Sequence, residues 1–372
     1  MTVDEHWRYQ PIVKWLLEEG RFLASLDEIV HHLGPRMLAA GAPLWRFRMS
    51  MRTLHPLVRA TVAIWEREQG KTIHRTSPHG LEGRSEYIGS PASIISQTRA
   101  PFRKQLTGLL TKDDHNVLHE LKARGATDYL GLPLNFSDGM SASLTLTTDA
   151  ERGFSDPDIE NFTEIAAVLA PIAEVVRSRS ASIAVAEAYL GPRTGRRVLK
   201  GEITRGDIET IKAAILISDI RDWTGLNNRL SPEVLLSRAN TYFEIISDAV
   251  VAHGGEILKF LGDGVLAIFP TDPDVDDSTA CSNALRAARQ ALRTASDATR
   301  PLDLTFGVGM HFGEVLYGNI GSKTRIDFTV LGHAVNLTSR VEGLCSKLQQ
   351  PLLFSEAFAD RLSEPVKQVA EE

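Results

Sequence analysis

Apolar residues recur at helical spacing between residues 159 and 176, at Ile159, Phe162, Ile165, Leu169, Ile172 and Val176. The spacing predicts a long helix that Ser155 or Asp156 can cap, with Pro157 in its first turn and Pro171 as a kink. It runs on through "ASIAVAEAYL" and stops at Gly191-Pro192. No other segment offers its apolar face a partner of matching length, so the face is expected to pair with that of a second copy. Ahead of this helix the pattern is mixed. A helical segment around Trp15–Leu33 precedes strands near Leu44–Arg52, Thr61–Glu66 and Tyr129–Phe136. In "FSDGMSASLTLTTD" a turn at Asp138-Gly139 leads into an alternating strand. Behind the helix, "RTGRRVLKGEITRGDIE" reads as a short solvated connector.

The second half alternates strands and helices. "IKAAILISDIRDWTGL" is a buried-strand run ending at Ser218-Asp219. Ser231 caps a helix with Pro232 in its first turn and Val234, Leu235, Tyr242, Phe243, Ile246 and Val250 on one face. His253-Gly254-Gly255 ends it, and a hairpin, "ILKFLGDGVLAIFP", follows. A helix near Ser278–Arg293 leads to "LTFGVGMHF", which alternates at Leu304, Phe306, Val308, Met310 and Phe312. "EVLYGNIG" and "IDFTVLG" add strands, and a last helix carries Val335, Val341, Leu344 and Leu348. The fold class is mixed α/β (α+β), and this half has the β-α-β-β-α-β order of a ferredoxin-like domain.

Bulk properties narrow the function. The chain of 372 residues has room for two or three domains, and a net charge of −6 gives no reason to expect nucleic acid or an anionic membrane as partner. The N-terminus lacks a signal-peptide core, and the longest near-apolar window, "IAAVLAPIAEVV", is too short to span a bilayer. Two distant cysteines, Cys281 and Cys345, fit a reducing cytoplasm better than a disulfide framework.

Charged residues interrupt the apolar pattern at informative places. Asp219 ends a strand and Asp263 tips the hairpin; singly each is a turn or cap residue, but on adjacent strands ~4.8 Å apart they can converge on one or two hard cations. Lys259 lies in the same hairpin, ~13 Å along an extended strand from Asp263. It is either a surface lysine or part of a different site from its own Asp263, which implies a symmetric dimer. Asn336 and Arg340 share a polar helix face suited to phosphate. The first half is rich in Trp and His (Trp7, Trp15, Trp45, Trp65, His55, His74, His79), which leaves core packing and a ligand pocket both open.

"ILISDIRDWTGL", "HGGEILKFLGDGVLAIF", "GVGMHFGEVLYGNIGS" and "DFTVLGHAVNLTSRVE" resemble, in order, successive motifs of class III nucleotidyl cyclases. The resemblance implies conversion of ATP to 3′,5′-cyclic AMP and pyrophosphate in a homodimer with composite sites. It implies metal ligands at Asp219, Ile220 and Asp263 for two Mg²⁺ or Mn²⁺ ions. Substrate contacts would come from Lys259, Thr329, Ile220 and Thr224, with Asn336 orienting the ribose and Arg340 stabilising the transition state. Lysine donates to the adenine N1 acceptor, whereas guanylate cyclases usually carry Glu there. Thr329 stands where adenylate cyclases most often have Asp and is similar to the bicarbonate-responsive subgroup. Asp222 replaces the glycine usual after "DIR". Family domains usually continue into a final hairpin, for which the chain ending at Glu372 leaves no room. "LPLNFSDGMSASLTLTTDAERGFSDPDIENFTEIAAVLA" resembles the C-terminal part of GAF-type sensor domains.

The expected organisation is a GAF-like sensor domain over 1–182 with a possible small-molecule ligand, a linker over 183–210 and the cyclase domain over 211–372. A non-catalytic nucleotide-binding module and a guanylate cyclase are the alternatives. "HGGEIL" invites comparison with GGDEF proteins, but Ile257 and Leu258 follow where that motif requires an acid and Phe.

Overall fold

The computed structural model describes residues 7–56, 58–297 and 303–369 and divides the chain into two units between Val185 and Ala186. The first contains α1 (Gln10–Glu18), α2 (Leu26–Ala39), β1 (Arg46–Arg52), β2 (Val58–Glu66) and β3 (Thr72–Pro78). Then come α3 (Pro91–Thr98), β4 (Phe102–Gln105), α4 (Asn116–Ala123), β5 (Asp128–Asn135), β6 (Ser141–Thr148) and the long α5 (Asp156–Leu190), in which the division falls. Its strands form one antiparallel sheet in the order β3-β2-β1-β6-β5-β4.

The helix expected around Trp15–Leu33 is two helices. Ser25 caps α2 by accepting from the Glu28 N–H (3.2 Å), and the Glu28 carboxylate accepts from the Ala24 N–H (2.7 Å). This cap, with the Glu28 carboxylate holding the residue before it, starts a new helix where a periodic reading sees one.

Helix α5 begins as expected, with Ser155 as its cap. Its apolar face does not await a second copy. Phe162, Ile165, Leu169, Ile172 and Val176 are buried with Leu33, Phe47, Met49, Leu132 and Leu144 in the core of the first unit. Sequence spacing shows that a face is apolar, but not which surface covers it. Beyond Arg177 no residue of α5 is buried. Trp7 and Trp65 belong to the same core, and Trp45 to a smaller one with Leu118 and Leu121.

The second unit contains α6 (Pro192–Leu199), β7 (Ile208–Ile220), α7 (Trp223–Arg229), α8 (Pro232–Ala252), β8 (Glu256–Leu261), β9 (Gly264–Pro270) and α9 (Asp277–Ala295). It continues with β10 (Phe306–Gly321), β11 (Ile326–Leu331), α10 (His333–Lys347), β12 (Leu352–Phe354) and α11 (Glu356–Ala359). The sheet order is β11-β10-β7-β9-β8, with β12 parallel to β10. Its β10-β7-β9-β8 portion is the interleaved order of a ferredoxin-like sheet. Helices α8 and α9 cover one face around Tyr242, Ile246, Ala284, Ala288 and Phe306. On the other, Leu258 and Leu266 pack with Tyr317, Phe328 and Val330.

The runs "LTFGVGMHF" and "EVLYGNIG" are not separate strands. From Phe306 onward they belong to the single 16-residue β10, because β7 is long enough to pair with both. The segment read as a solvated connector holds α6. Thr194 there is buried, and its N–H and hydroxyl donate to Glu256 Oε1 at 3.1 and 2.7 Å. The Tyr317 hydroxyl donates to Glu256 Oε2 at 3.0 Å, so one buried carboxylate fastens α6 to two strands. Val234, expected on the buried face of α8, is exposed. No helix among the described residues is long and apolar enough to cross a membrane.

Gly309 on β10 lets α10 lie directly on the sheet: a Cβ there would stand 2.6 Å from Cα of Glu342. Gly309→Ala should therefore lift α10 off β10 and cost about 1–3 kcal/mol, as overpacking does. Chemical denaturation would show it, and a variant as stable as the parent would mean that α10 does not rest on this contact.

Candidate active site

Asp219 closes β7, opposite Gly264 of β9 and Gly307 of β10. The strand is held firmly behind it, because the buried Tyr242 hydroxyl donates to Ser218 Oγ at 2.9 Å. Asp263 tips the β8–β9 turn, where its carbonyl accepts from the Ile220 N–H at 3.3 Å. The two side chains meet: burial first, then the Asp263 charge, the Glu342 charge and a hydrogen bond to Asp263 push the Asp219 carboxyl up to about 7. Asp219 is half-buried rather than fully exposed at a strand end.

Two abutting carboxyls that repel one another are hard oxygen donors that a divalent cation would satisfy, so the residues fit Mg²⁺ or Mn²⁺. Among the described residues no group of three or more His, Cys, Asp or Glu side chains forms a ligand cluster. A third protein donor would be a backbone carbonyl such as that of Ile220, whose side chain is in the core. Thr224 is exposed in the first turn of α7.

Asp222 precedes that helix with φ 53°, in the left-handed region where glycine costs least. That explains why glycine is usual there, and why Asp, which tolerates this conformation better than most residues, can replace it. Its charge is met by Arg229 at 2.7 Å.

An ion pair not read from the sequence lies beside the aspartates. Arg221 Nη2 is 3.0 Å from Glu342 Oε1, and the Arg221 N–H donates to the Thr305 carbonyl at 2.8 Å. The guanidinium passes over Gly307, where any side chain would overlap it. Burial pushes the Glu342 carboxyl up, while Arg221 pulls it down. The signal was present: Glu342 stands among Thr338, Val341 and Cys345 on the buried stripe of α10.

Lys259, the lysine inside the hairpin, pairs with Asp327 of β11 at 2.5 Å. A register shift between Ile257 and Lys259 accompanies burial of Leu258. Thr329 is buried two residues beyond Asp327, on the same side of β11. Asp327 also escaped the sequence reading, although that i, i+2 relation to Thr329 marks it.

Asn336 and Arg340 are exposed on α10, as Lys259 is in part on β8. At ~100° per residue they lie ~40° apart, while Arg340 is ~200° around the helix from Glu342. Glu342 acts on Asp219, so the Asn336–Arg340 face looks away from the aspartates of its own chain. The structure joins Asp219 with Asp263, and Lys259 with the strand carrying Thr329. It does not join Asn336 or Arg340 to the carboxylates.

Residues 208–365 match the family described as adenylate and guanylate cyclase catalytic domain. They form a class III cyclase catalytic domain. The chain is 25% identical over 287 residues to adenylate cyclase 1 of Rhizobium meliloti, covering 74% of this chain and 43% of that protein. It is 34% identical over 170 residues to an adenylate cyclase of Anabaena cylindrica, covering 43% of this chain and 32% of the relative. It thus spans less than half of either relative. A solved bacterial light-regulated adenylyl cyclase is 33% identical, with 41% of this chain and 79% of that chain covered and a TM-score of 0.35.

The raised Asp219 carboxyl gives the cyclase domain a pH signature. With a native value of about 7 against an ordinary 3.8, the folded chain keeps a proton that the unfolded chain releases between these values. Stability present below pH ~4 is therefore lost as pH rises through 7. In chelator, the protein should melt lower at pH 8 than at pH 5, and Asp219→Asn should narrow that gap. Mn²⁺ should raise the melting temperature at pH 8 in the parent but much less in the variant. Identical behaviour of the two proteins would separate Asp219 from both the proton and the cation.

Proposed function

We propose that the chain is an adenylate cyclase that forms 3′,5′-cyclic AMP and pyrophosphate from ATP as a homodimer, under control of its first unit. One observation carries the reading: Asp219 and Asp263 converge at one end of the sheet, while Asn336 and Arg340 face away from them on α10. A two-fold dimer brings the arginine face of one chain to the carboxylates of the other. Asp219 and Asp263, with the Ile220 carbonyl, would hold one or two Mg²⁺ or Mn²⁺ ions. Such ions, when bound, acidify a hydroxyl and neutralise phosphate charge.

The chain's own residues supply the rest. The ribose 3′-oxygen attacks the α-phosphorus as the bond to the pyrophosphate oxygen breaks. Asn336 orients the ribose, Arg340 meets the charge growing on the phosphoryl oxygens, and Thr224 lies beside the phosphates. Lys259 donates to adenine N1, with Asp327 fixing its ammonium and the Thr329 hydroxyl completing the purine contact. Guanine N1 carries a proton and would face a donor there, which disfavours the guanylate cyclase alternative. The retained donor set disfavours a non-catalytic module. Thr329 supports a likeness to the bicarbonate-responsive subgroup.

For the first unit, the adjacent β5–β6 pair, the loop carrying Phe154-Ser155 and the long α5 support a GAF-like sensor. α5 leads in sequence into the cyclase domain and would transmit its state. Free, buried Cys281 and Cys345 suit a cytoplasmic site of action.

Lys259→Glu should abolish most ATP turnover by facing adenine N1 with a carboxylate; unchanged ATP kinetics would remove Lys259 from the site. Two inactive variants test the dimer. Asp219→Ala mixed with Arg340→Ala should recover roughly a quarter of parental cyclic AMP formation, since half the dimers are mixed and each has one intact site of two. Asp219→Ala mixed with Asp263→Ala should stay inactive. Recovery in the second mixture, or none in the first once subunit exchange is shown, rules out sites shared between chains.

A further inference from the structure

Strand β1 reads Arg-Phe-Arg-Met-Ser-Met-Arg. Phe47, Met49 and Met51 enter the core of the first unit, so Arg46, Arg48, Ser50 and Arg52 share the opposite face of the sheet. The register sets Thr147, Thr145 and Ser143 of β6 beside Arg46, Arg48 and Ser50, and Tyr129 of β5 beside Thr147. Over β5 lies α3: a side chain on Gly131 would collide with Ile95.

The arginines differ in their partners. Arg46 meets Glu66 at 3.0 Å, and Arg124 meets the same carboxylate at 2.8 Å. Arg52 donates to the Tyr87 hydroxyl at 3.3 Å. Arg48 has a long hydrogen bond to Ser50 Oγ, 3.4 Å, and no carboxylate within ion-pair distance among the described residues. The titratable groups facing it are Tyr129, Arg46, Arg75 and Tyr87. Burial lowers its pKa, and the neighbouring arginines add to this against the tyrosines. Arg48 is part-buried, and proteins pair a guanidinium drawn away from water with carboxylate or phosphate, whose geometry its planar fork matches.

We propose that this face of the first unit binds a small anion through a carboxylate or phosphate group. Arg48 is its charge partner, and the Ser50 and Ser143 hydroxyls, 2.7 Å apart, lie beside it. The inference deepens the sensor reading by naming the ligand's chemistry, and binding is measured apart from regulation.

The test is peptide-resolved hydrogen exchange and thermal melting of the full chain with inorganic phosphate or benzoate, against chloride at matched ionic strength. At least one anion should protect residues 46–52 and 141–147 and raise the melting temperature. Arg48→Met should abolish that protection, yet without anion melt no lower than the parent, because it removes a part-buried charge that has no carboxylate partner rather than a structural ion pair. Arg48→Lys, which keeps the charge but loses the fork, should weaken the protection and serves if the Met variant does not fold. No protection by either anion in the parent, or protection that survives in Arg48→Met, overturns the site. Cyclic AMP formation with the same anions is the separate arm: protection with an unchanged rate keeps the binding site and removes the sensor role.

Discussion

The pairing of β7 with β10 is the constraint from which the second unit is built. All 13 residues of β7 lie against β10, from Ile220 opposite Phe306 to Ile208 opposite Gly318. This fixes Asp219 at one end of the ladder. At the other, β10 continues into the hairpin with β11, which carries Asp327 and Thr329. Because side chains alternate along each strand, a slip of one residue would turn Asp219 into the core and expose its neighbours. Buried Val308, Met310 and Phe312 on β10, with Ala214 and Leu216 on β7, make such a slip costly.

Two ion pairs turn this ladder into a site. Arg221–Glu342 ties the end of β7 to α10, using Gly307 as the gap through which the guanidinium reaches. Lys259–Asp327 ties β8 to β11, two strands on opposite edges of the sheet order. The first is largely buried, so losing either partner would strand a charge near Asp219. The second is partly solvated and contributes little to stability, but it limits where the lysine ammonium can go. Thus, one chain presents carboxylates at one place and basic and polar groups at another, the division of labour that a shared site requires.

Much of this was legible along the chain. The helix from Ser155, the cap at Ser231, the hairpin around Gly262-Asp263 and the alternation from Leu304 to Phe312 all appear where local pattern places them. So does the convergence of Asp219 and Asp263, because adjacency of their strands follows from the ferredoxin-like order. The residues carrying the four cyclase motifs lie in the region that matches the family.

Local pattern works where a signal and its physical cause lie within a few residues of each other. A cap satisfies N–H groups of its own first turn, and a period of two or 3.6 sets which side chains share a face. Whether that face is covered by its own domain or by a second copy is set by distant surfaces, which is why spacing alone predicts a pairing helix where residues 162–176 of α5 fill a core. The same reason hid the single long β10, the helix pinned by Glu256, and the partners of Arg221 and Lys259, which are 121 and 68 residues away in the chain. The sequence by itself determined the elements, their faces and the chemical types available at their ends. Only the tertiary structure decided which charges meet, because electrostatic partners are chosen by distance in space, and distance in space is set by packing.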